Sequence, residues 1–281
     1  MKMYKLKLGV SLNYFVADPE QRCPIYEKFF DNLKNIEDLG FDTVDMSLSG
    51  AFRSETFVGF EEKVIRGVEA IKNSKLEFNG VHLPFGSMLS VSTLDEDYRQ
   101  ELVGKIKSLL NVIDKYSPKC YIMHSSGEPV ADKEREAQKS QLAKSYLELK
   151  DSCNAYFCVE TLPRTCLLNT SDEVLELSNM VGGMNICLDA NHFLKEKTED
   201  AILKIGSLIK TTHISDHDYV DERHNMPGKE SIDFMKVIGA LEKIGYNGSF
   251  TYEVGLKKYG YTLKDIKDNY DMLFEKYNQS K

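Results

Sequence analysis

Seven side chains that can bind a metal ion or move a proton lie within eighteen residues of the sequence, from Thr211 to Gly228. They are His213, Asp216, His217, Asp218, Asp221, Glu222 and His224. Imidazole and carboxylate are ligands that zinc, manganese and iron accept, and both groups exchange protons near neutral pH. The stretch begins with a β-branched run and ends at Pro227-Gly228. It therefore predicts a strand whose C-terminal end opens into a long loop that carries the chemistry.

Other titratable residues end further β-rich runs, and among them are His82, His124, Glu160, Asp189 and Glu253. A mostly small residue lies two positions earlier in each run and faces the same side of the strand. In a β/α barrel, small inward-facing residues fill the interior, and titratable residues at the C-terminal ends of the strands surround the polar site above them. A carboxylate on the inner face of an apolar strand is costly to bury without a cation. Glu160, Asp189 and Glu253 therefore predict a metal site.

Short β-rich runs alternate with longer segments of helical period along the chain. The predicted strands cover residues 6–12, 41–47, 78–83, 120–124, 155–161, 185–190, 210–214 and 248–254. The predicted helices cover residues 25–39, 60–71, 98–116, 133–149, 172–180, 198–208, 232–244 and 263–277. Eight alternations require a parallel sheet with helical crossovers, and at 281 residues the economical closure is a (β/α)8 TIM barrel. No linker divides the chain, so we predict a single domain over residues 1–281.

The composition limits the classes of function. A hydrophobic content of 42% supports a large core, and a net charge of −8 argues against an extended nucleic-acid surface. No apolar run approaches the roughly 20 residues of a membrane span, and the first residues lead into a strand rather than a signal-peptide core. We therefore expect a cytoplasmic protein without a membrane partner. The six cysteines form no CxxC pair, so neither disulfides nor a cysteine-ligated zinc site is expected. A homo-oligomer is compatible with the sequence.

Several short motifs at the strand ends carry a family resemblance. They are VHLPF with His82, YIMHSS with His124, CVET with Glu160, CLDANH with Asp189 and His192, HISD with His213, DERHNMPG with His224, and TYEV with Glu253. Through them the sequence resembles the xylose isomerase-like TIM barrel superfamily, which includes sugar phosphate isomerases, epimerases and endonuclease IV. The resemblance implies a divalent metal on Glu160, Asp189, His213 and Glu253, with His192 facing the substrate. Such ligands favour manganese or zinc and also suit magnesium or cobalt.

The resemblance implies a metal-dependent isomerase or epimerase of a small sugar, sugar phosphate or hydroxy-keto acid. A divalent ion would chelate two substrate oxygens and acidify the C–H bond between them. Glu160 and Glu253, on strands at opposite sides of the barrel, would then exchange the proton of a metal-bound enediolate. The cationic candidates for binding a substrate phosphate or carboxylate are Arg53, Arg164, Arg223 and Lys229.

Two other functions stay open at this point. An endonuclease IV-like zinc phosphodiesterase acting on abasic DNA would use additional metal ligands, matched here by His82, His124, His192, His224 and either Asp221 or Glu222. The sequence departs from that enzyme's pattern, because HSS replaces HPG after the fourth strand and Glu-Thr replaces Glu-Asn in the fifth. The other alternative is a non-catalytic sugar-binding barrel. The intact carboxylates argue against it, because a site that no longer catalyses a reaction should have lost at least one of its ligands. Asp45 is undecided, and His217 is interpreted as structural.

Overall fold

The computed structural model describes residues 3–14, 28–49 and 60–281. Eight parallel strands form a closed barrel in which each strand pairs with the next and β1 pairs with β8. The strands are β1 Lys7–Asn13, β2 Thr43–Ser47, β3 Glu77–His82, β4 Cys120–His124, β5 Tyr156–Glu160, β6 Asn185–Asp189, β7 Ile209–Ile214 and β8 Ser249–Tyr252. Helices follow the strands, so the predicted (β/α)8 TIM barrel is confirmed.

The helices of the described residues are α1 Lys28–Asp38, α2 Phe60–Lys72, α3 Glu96–Ile113, α4 Arg135–Leu149, α5 Ser171–Met180, α6 Thr198–Ile205, α7 Phe234–Lys243, α8 Leu256–Tyr259 and α9 Leu263–Gln279. Helix α7 buries Phe234, Val237, Ile238 and Leu241, whose spacing places them on one face. The predicted helices match except for α8, which is four residues long and was not predicted. The predicted helix 25–39 begins in residues outside the described part.

The apolar core lies mainly between the strands and the surrounding helices, and a smaller group fills the barrel interior. The interior group consists of Cys120, Ile122, Cys158 and Cys187. Lower in the barrel, the hydroxyls of Thr43 and Ser249 are hydrogen-bonded at 2.6 Å. The described cysteines are free thiols, and Cys23 lies outside the described residues. The interior is thus packed with mostly small side chains below the C-terminal rim.

The strands are parallel and consecutive, so all their carboxyl ends open onto one rim of the barrel. The loops that follow the strands therefore surround a common mouth. Arg53, one of the predicted anion-binding residues, lies outside the described residues. Within the described ranges, we find no helix with the length and apolar character needed to cross a membrane.

Candidate metal centre

Four side chains from the second half of the chain meet at the C-terminal mouth. Glu160 ends β5, Asp189 ends β6, His213 lies one residue before the end of β7, and Glu253 directly follows β8. One donor atom from each lies within 4.8 Å of the others. The register pairs Asp189 with His213 across β6 and β7, which brings the two ligand candidates to the same height. The structure thus brings together the four predicted metal ligands.

The imidazole of His213 turns its Nδ1 atom toward two carboxylates. Nδ1 lies 2.8 Å from Glu160 Oε1 and 2.9 Å from Glu253 Oε2. Asp189 is fully buried; its Oδ1 accepts the backbone N–H of Asn191, whereas its Oδ2 has no hydrogen-bond partner and lies 3.5 Å from His192 Nδ1. An unpartnered carboxylate oxygen is costly at this depth unless a cation satisfies it. Three carboxylates and one imidazole therefore fit a divalent metal ion.

The protonation of this cluster shows how strongly it demands positive charge. Burial opposes ionisation of Glu160, but His213, His82 and His124 together outweigh it and hold the carboxyl pKa well below its usual range. Burial also acts against Glu253, whose pKa His213 nevertheless lowers to about 2. Burial disfavours the imidazolium of His213, yet Cys187 and Glu253 raise its pKa well above the usual range. Burial raises the pKa of Asp189 to about 6. The three carboxylates therefore favour a positive charge beside them.

Two further histidines contact the second oxygen of Glu160. Glu160 Oε2 lies 3.0 Å from His82 Nε2 and 3.2 Å from His124 Nε2. The ring of Phe85 stacks on His124 with centroids 4.1 Å apart. Burial lowers the pKa of His124, whereas for His82 the Glu160 carboxylate overcomes burial and raises the pKa. His82, His124 and Glu160 form a second group with metal-ligand spacing.

A third group with metal-ligand spacing consists of His192, Glu222 and His224. Glu222 Oε2 lies 3.1 Å from His192 Nε2 and 3.7 Å from His224 Nε2. The other ring nitrogen of His192 lies 2.7 Å from the carbonyl oxygen of Thr161. Burial opposes the charge of His192, but Asp189, Glu222 and Glu160 together raise its pKa to about 10. Of the two adjacent acidic residues that the sequence left open, Glu222 is the one in the group.

The loop between β7 and α7 carries Glu222 and His224 and is fixed from below by Asp216. The buried Asp216 carboxylate accepts four backbone N–H groups, at 2.8–3.0 Å, from His217, Gly228, Glu230 and Ile232. Asn191 Oδ1 accepts the N–H groups of Arg223 and His224. These hydrogen bonds hold the loop over the mouth.

The two arginines predicted to bind a substrate anion both contact protein carboxylates. Arg164 lies within 2.6–2.9 Å of Glu128, Asp221 and Glu222. Arg223 lies 2.6 Å from Asp218. Asp221 is thus paired with Arg164 rather than with the histidines, and Lys229 is exposed on the same loop. An anion-binding role for these cations stays a prediction.

His217, interpreted from the sequence as structural, is fully buried and belongs to none of the groups with metal-ligand spacing among the described residues. Its Nδ1 accepts the backbone N–H of Tyr219 at 2.9 Å. Burial lowers the pKa of His217 to about 4, so the ring is neutral at pH 7.

Three contributors to the site were missed in the sequence. The Thr161 hydroxyl accepts the N–H of Asp189, and its carbonyl contacts His192. The second contributor, Asn191, lies between Asp189 and His192 in the motif CLDANH. The third is Glu128, whose carboxylate accepts hydrogen bonds from Arg164 and so orients it. Thr161 could have been found because it follows Glu160 in the strand motif. Glu128 gave no signal, because nothing in a loop sequence tells which distant cation an acidic residue will meet.

A cavity of about 280 Å³ opens beside Glu160 and Glu253. This volume is near the lower end of the range for small-molecule sites, roughly 300–1,000 Å³. Glu160 and Glu253 line the cavity, while Asp189 and His213 are fully buried. Other lining residues are His82, Phe85, His124, Arg164, His192, Glu222 and His224. Two carboxylates of the centre therefore face the space where a small molecule would bind.

Comparisons with known proteins agree with the fold. The family profile described as xylose isomerase-like TIM barrel matches residues 33–275. A D-psicose 3-epimerase of Enterocloster bolteae is 23% identical over 95% of this chain and 88% of its own. A D-psicose 3-epimerase of Clostridium cellulolyticum H10, solved with D-tagatose, superposes with a TM-score of 0.73 at 18% identity, covering 98% and 99% of the two chains. The IolI protein, solved with a zinc atom, gives 0.72 at 15% identity, covering 98% and 99%.

Proposed function

The chain belongs to the xylose isomerase-like TIM barrel family, and from this premise we propose that it is a divalent-metal-dependent isomerase or epimerase of a small sugar, sugar phosphate or hydroxy-keto acid. The observation that carries the proposal is the four-residue centre, whose two glutamates line a small cavity. The epimerase names of several relatives and the zinc in the IolI structure support it.

Glu160, Asp189, His213 and Glu253 would hold the metal. When bound, a divalent ion there acts as a Lewis acid that polarises a substrate oxygen and acidifies the neighbouring C–H bond. The low pKa values of Glu160 and Glu253 keep both carboxylates ionised at neutral pH, so each can accept a proton. The side chain of Glu253 is 27% exposed and that of Glu160 only 1%, so Glu253 has the freer approach to a substrate carbon.

The proton balance of the reaction needs no redox partner. One carboxylate removes the proton, and the electron pair of the broken C–H bond enters the enediolate. In an epimerisation the second carboxylate takes a proton from solvent water and delivers it to the opposite face of the same carbon, while the first returns its proton to water. In an isomerisation the first carboxylate returns its proton to the adjacent carbon, and the hydroxyl proton moves to the former carbonyl oxygen. His192 and His124 line the cavity and can donate or accept hydrogen bonds to the substrate hydroxyls during this exchange.

The test is deuterium incorporation from solvent at the carbon next to the carbonyl, across ketoses, ketose phosphates and hydroxypyruvate. We expect Glu253→Gln to lose roughly 10²- to 10⁴-fold in exchange rate, because the amide keeps a ligand oxygen but cannot act as a base. Metal content should be largely retained. Asp189→Ala and His213→Ala should lose the metal itself.

Glu275→Gln is the matched control, since this residue lies on α9, away from the mouth, and is exposed. It should behave like the wild type. If metal-loaded wild type exchanges no member of the panel, or if Glu253→Gln exchanges as fast as the wild type, the proton-transfer function is wrong.

A second candidate function is hydrolysis of a phosphoester by several metal ions. The observation that favours it is the presence of two further groups with metal-ligand spacing, His82–His124–Glu160 and His192–Glu222–His224, around the same cavity. Clustered metals generate a hydroxide and neutralise phosphate oxygens. Elemental analysis separates the two functions, because the isomerase needs one metal per chain and the hydrolase needs several. Cleavage of an abasic-site duplex that is lost in His224→Ala would favour the hydrolase.

A further inference from the structure

Two buried polar atoms without hydrogen-bond partners face each other behind the metal centre. They are Asp45 Oδ2 and His213 Nε2, which lie 3.6 Å apart. Both side chains are fully buried. Leaving two such atoms unsatisfied is costly, and each is the natural partner of the other. A closing movement of roughly 0.6 Å would form a normal N–H···O hydrogen bond and satisfy both.

The Asp45 carboxylate is held in this orientation by β3. Asn79 Nδ2 donates a hydrogen bond of 2.7 Å to Asp45 Oδ1, which leaves Oδ2 facing His213. The register pairs Asp45 with Gly80, where a Cβ atom would lie only 2.6 Å from Oδ2. Glycine therefore provides the space that the carboxylate fills. The Asp45 carboxylate therefore fits beside Gly80, and its Oδ2 atom remains an acceptor without a donor.

The two nitrogens of His213 consequently have different surroundings. Nδ1 faces Glu160 and Glu253, and Nε2 faces Asp45. An imidazole binds a metal through an unprotonated nitrogen, and its other nitrogen then carries the proton and needs an acceptor. We propose that Asp45 is a positioning residue that accepts the Nε2 proton of His213 and so presents Nδ1 to the metal.

This inference rests on the proposed metal-dependent function, and it assigns a role to a residue that does not line the cavity. Carboxylates that orient a ligating histidine commonly contribute 10- to 100-fold to metal affinity. Asp45 should therefore affect how tightly the metal is held rather than the proton transfer itself.

The decisive variant is Asp45→Asn. The amide has nearly the shape of the carboxylate, but its oxygen must accept from Asn79 Nδ2, so its NH₂ group points at His213 Nε2. That arrangement favours the tautomer with the proton on Nδ1, the nitrogen that must bind the metal. We expect zinc affinity, measured by competition with a chelator, to fall about 10- to 100-fold.

Asp45→Ala distinguishes positioning from packing. Alanine removes the acceptor without offering a donor, so it leaves the tautomer unbiased, and we expect a smaller loss of zinc affinity than with asparagine. A purely structural role would give the opposite order, because alanine leaves a cavity and asparagine does not. The control is Asp42→Asn, at the other end of the barrel, where the carboxylate accepts the N–H of Leu8. It should bind zinc like the wild type.

A second readout is ¹⁵N NMR of the histidine rings in zinc-loaded protein. The wild type should show His213 protonated at Nε2 with Nδ1 on the metal. Wild-type affinity and an unchanged Nε2–H signal in Asp45→Asn would overturn the inference, as would a wild type that binds no zinc. Zinc binding with the expected order of variants, but without substrate exchange, would refute the proposed function and leave the role of Asp45 standing.

Discussion

Glu160 is the residue on which most of the site converges. One of its oxygens contacts His213 and the other contacts His82 and His124. Its side chain is 1% exposed, so these imidazoles replace the water that would otherwise solvate the carboxylate. Glu253, in contrast, contacts only His213 among these rings and is partly open to the cavity.

This difference predicts different effects of the same substitution at the two positions. In Glu160→Gln, an amide oxygen turned toward the metal leaves the NH₂ group facing His82 and His124, so both rings must present an unprotonated Nε2 and lose the charge-assisted hydrogen bonds that the carboxylate accepts. We expect Glu160→Gln to weaken zinc binding by at least about tenfold, whereas Glu253→Gln should change it little. Chelator competition on both variants provides the measurement. Equal affinities for the two variants would contradict this prediction.

His217 predicts part of the pH dependence of stability. Its pKa is lowered to about 4 by burial, against about 6.5 in an unfolded chain. Below pH 6.5 the unfolded state therefore binds the proton more tightly, and stability falls as the pH falls toward 4. The loss from this group should reach about 2 kcal/mol at pH 5.

Urea unfolding in the presence of a chelator, at about pH 7.5 and about pH 5, measures this loss. The comparison variant is His217→Asn, whose amide oxygen can still accept the N–H of Tyr219 but does not titrate. The free energy of unfolding should fall by about 2 kcal/mol more in the wild type than in the variant. Parallel pH profiles would show that His217 contributes nothing.

At the scale of elements, the strands could be predicted to within about two residues because apolar runs of fixed parity end in titratable residues. The sequence also indicated which side chains share the rim. It could not distinguish Asp221 from Glu222, because they are neighbours in a loop and the choice depends on where Arg164 reaches. Nor could it assign Asp45, whose partner follows from the register of β2 and β3 and from the missing side chain at Gly80.

The loop after β7 predicts a local response to a change at Asp216. In Asp216→Asn, one carboxylate oxygen becomes an NH₂ group that faces backbone donors, and each lost acceptor costs roughly 1–3 kcal/mol. The amides of Gly228, Glu230 and Ile232 should lose hydrogen-exchange protection by roughly 10- to 100-fold. Strand amides should be unaffected.

Asp218→Asn is the comparison in the same loop. Its carboxylate accepts the N–H groups of Val220 and Asp221, so any loss of protection should be confined to that turn. If Asp216→Asn leaves residues 228–232 as protected as in the wild type, Asp216 does not hold the loop.

For the whole molecule, the centre predicts that metal binding stabilises the fold. A ligand that binds only the native state at 100 times its Kd adds about 2.7 kcal/mol. For 281 residues this corresponds to a rise in Tm of about 5 °C. Thermal unfolding after chelation and after zinc addition measures the rise. Asp189→Ala should show none, and a wild-type Tm that does not respond to any divalent metal would contradict the prediction.

The order of the donors along the chain has a consequence for biosynthesis. Glu160, Asp189 and His213 are made before Glu253, which follows the last strand, and β8 must pair with β1 before the barrel closes. A nascent chain on the ribosome therefore carries histidines and carboxylates that can capture ions without being able to enclose them. Under the proposed function, the complete donor set exists only once β8 has been translated and has paired with β1, so metal loading is completed after translation.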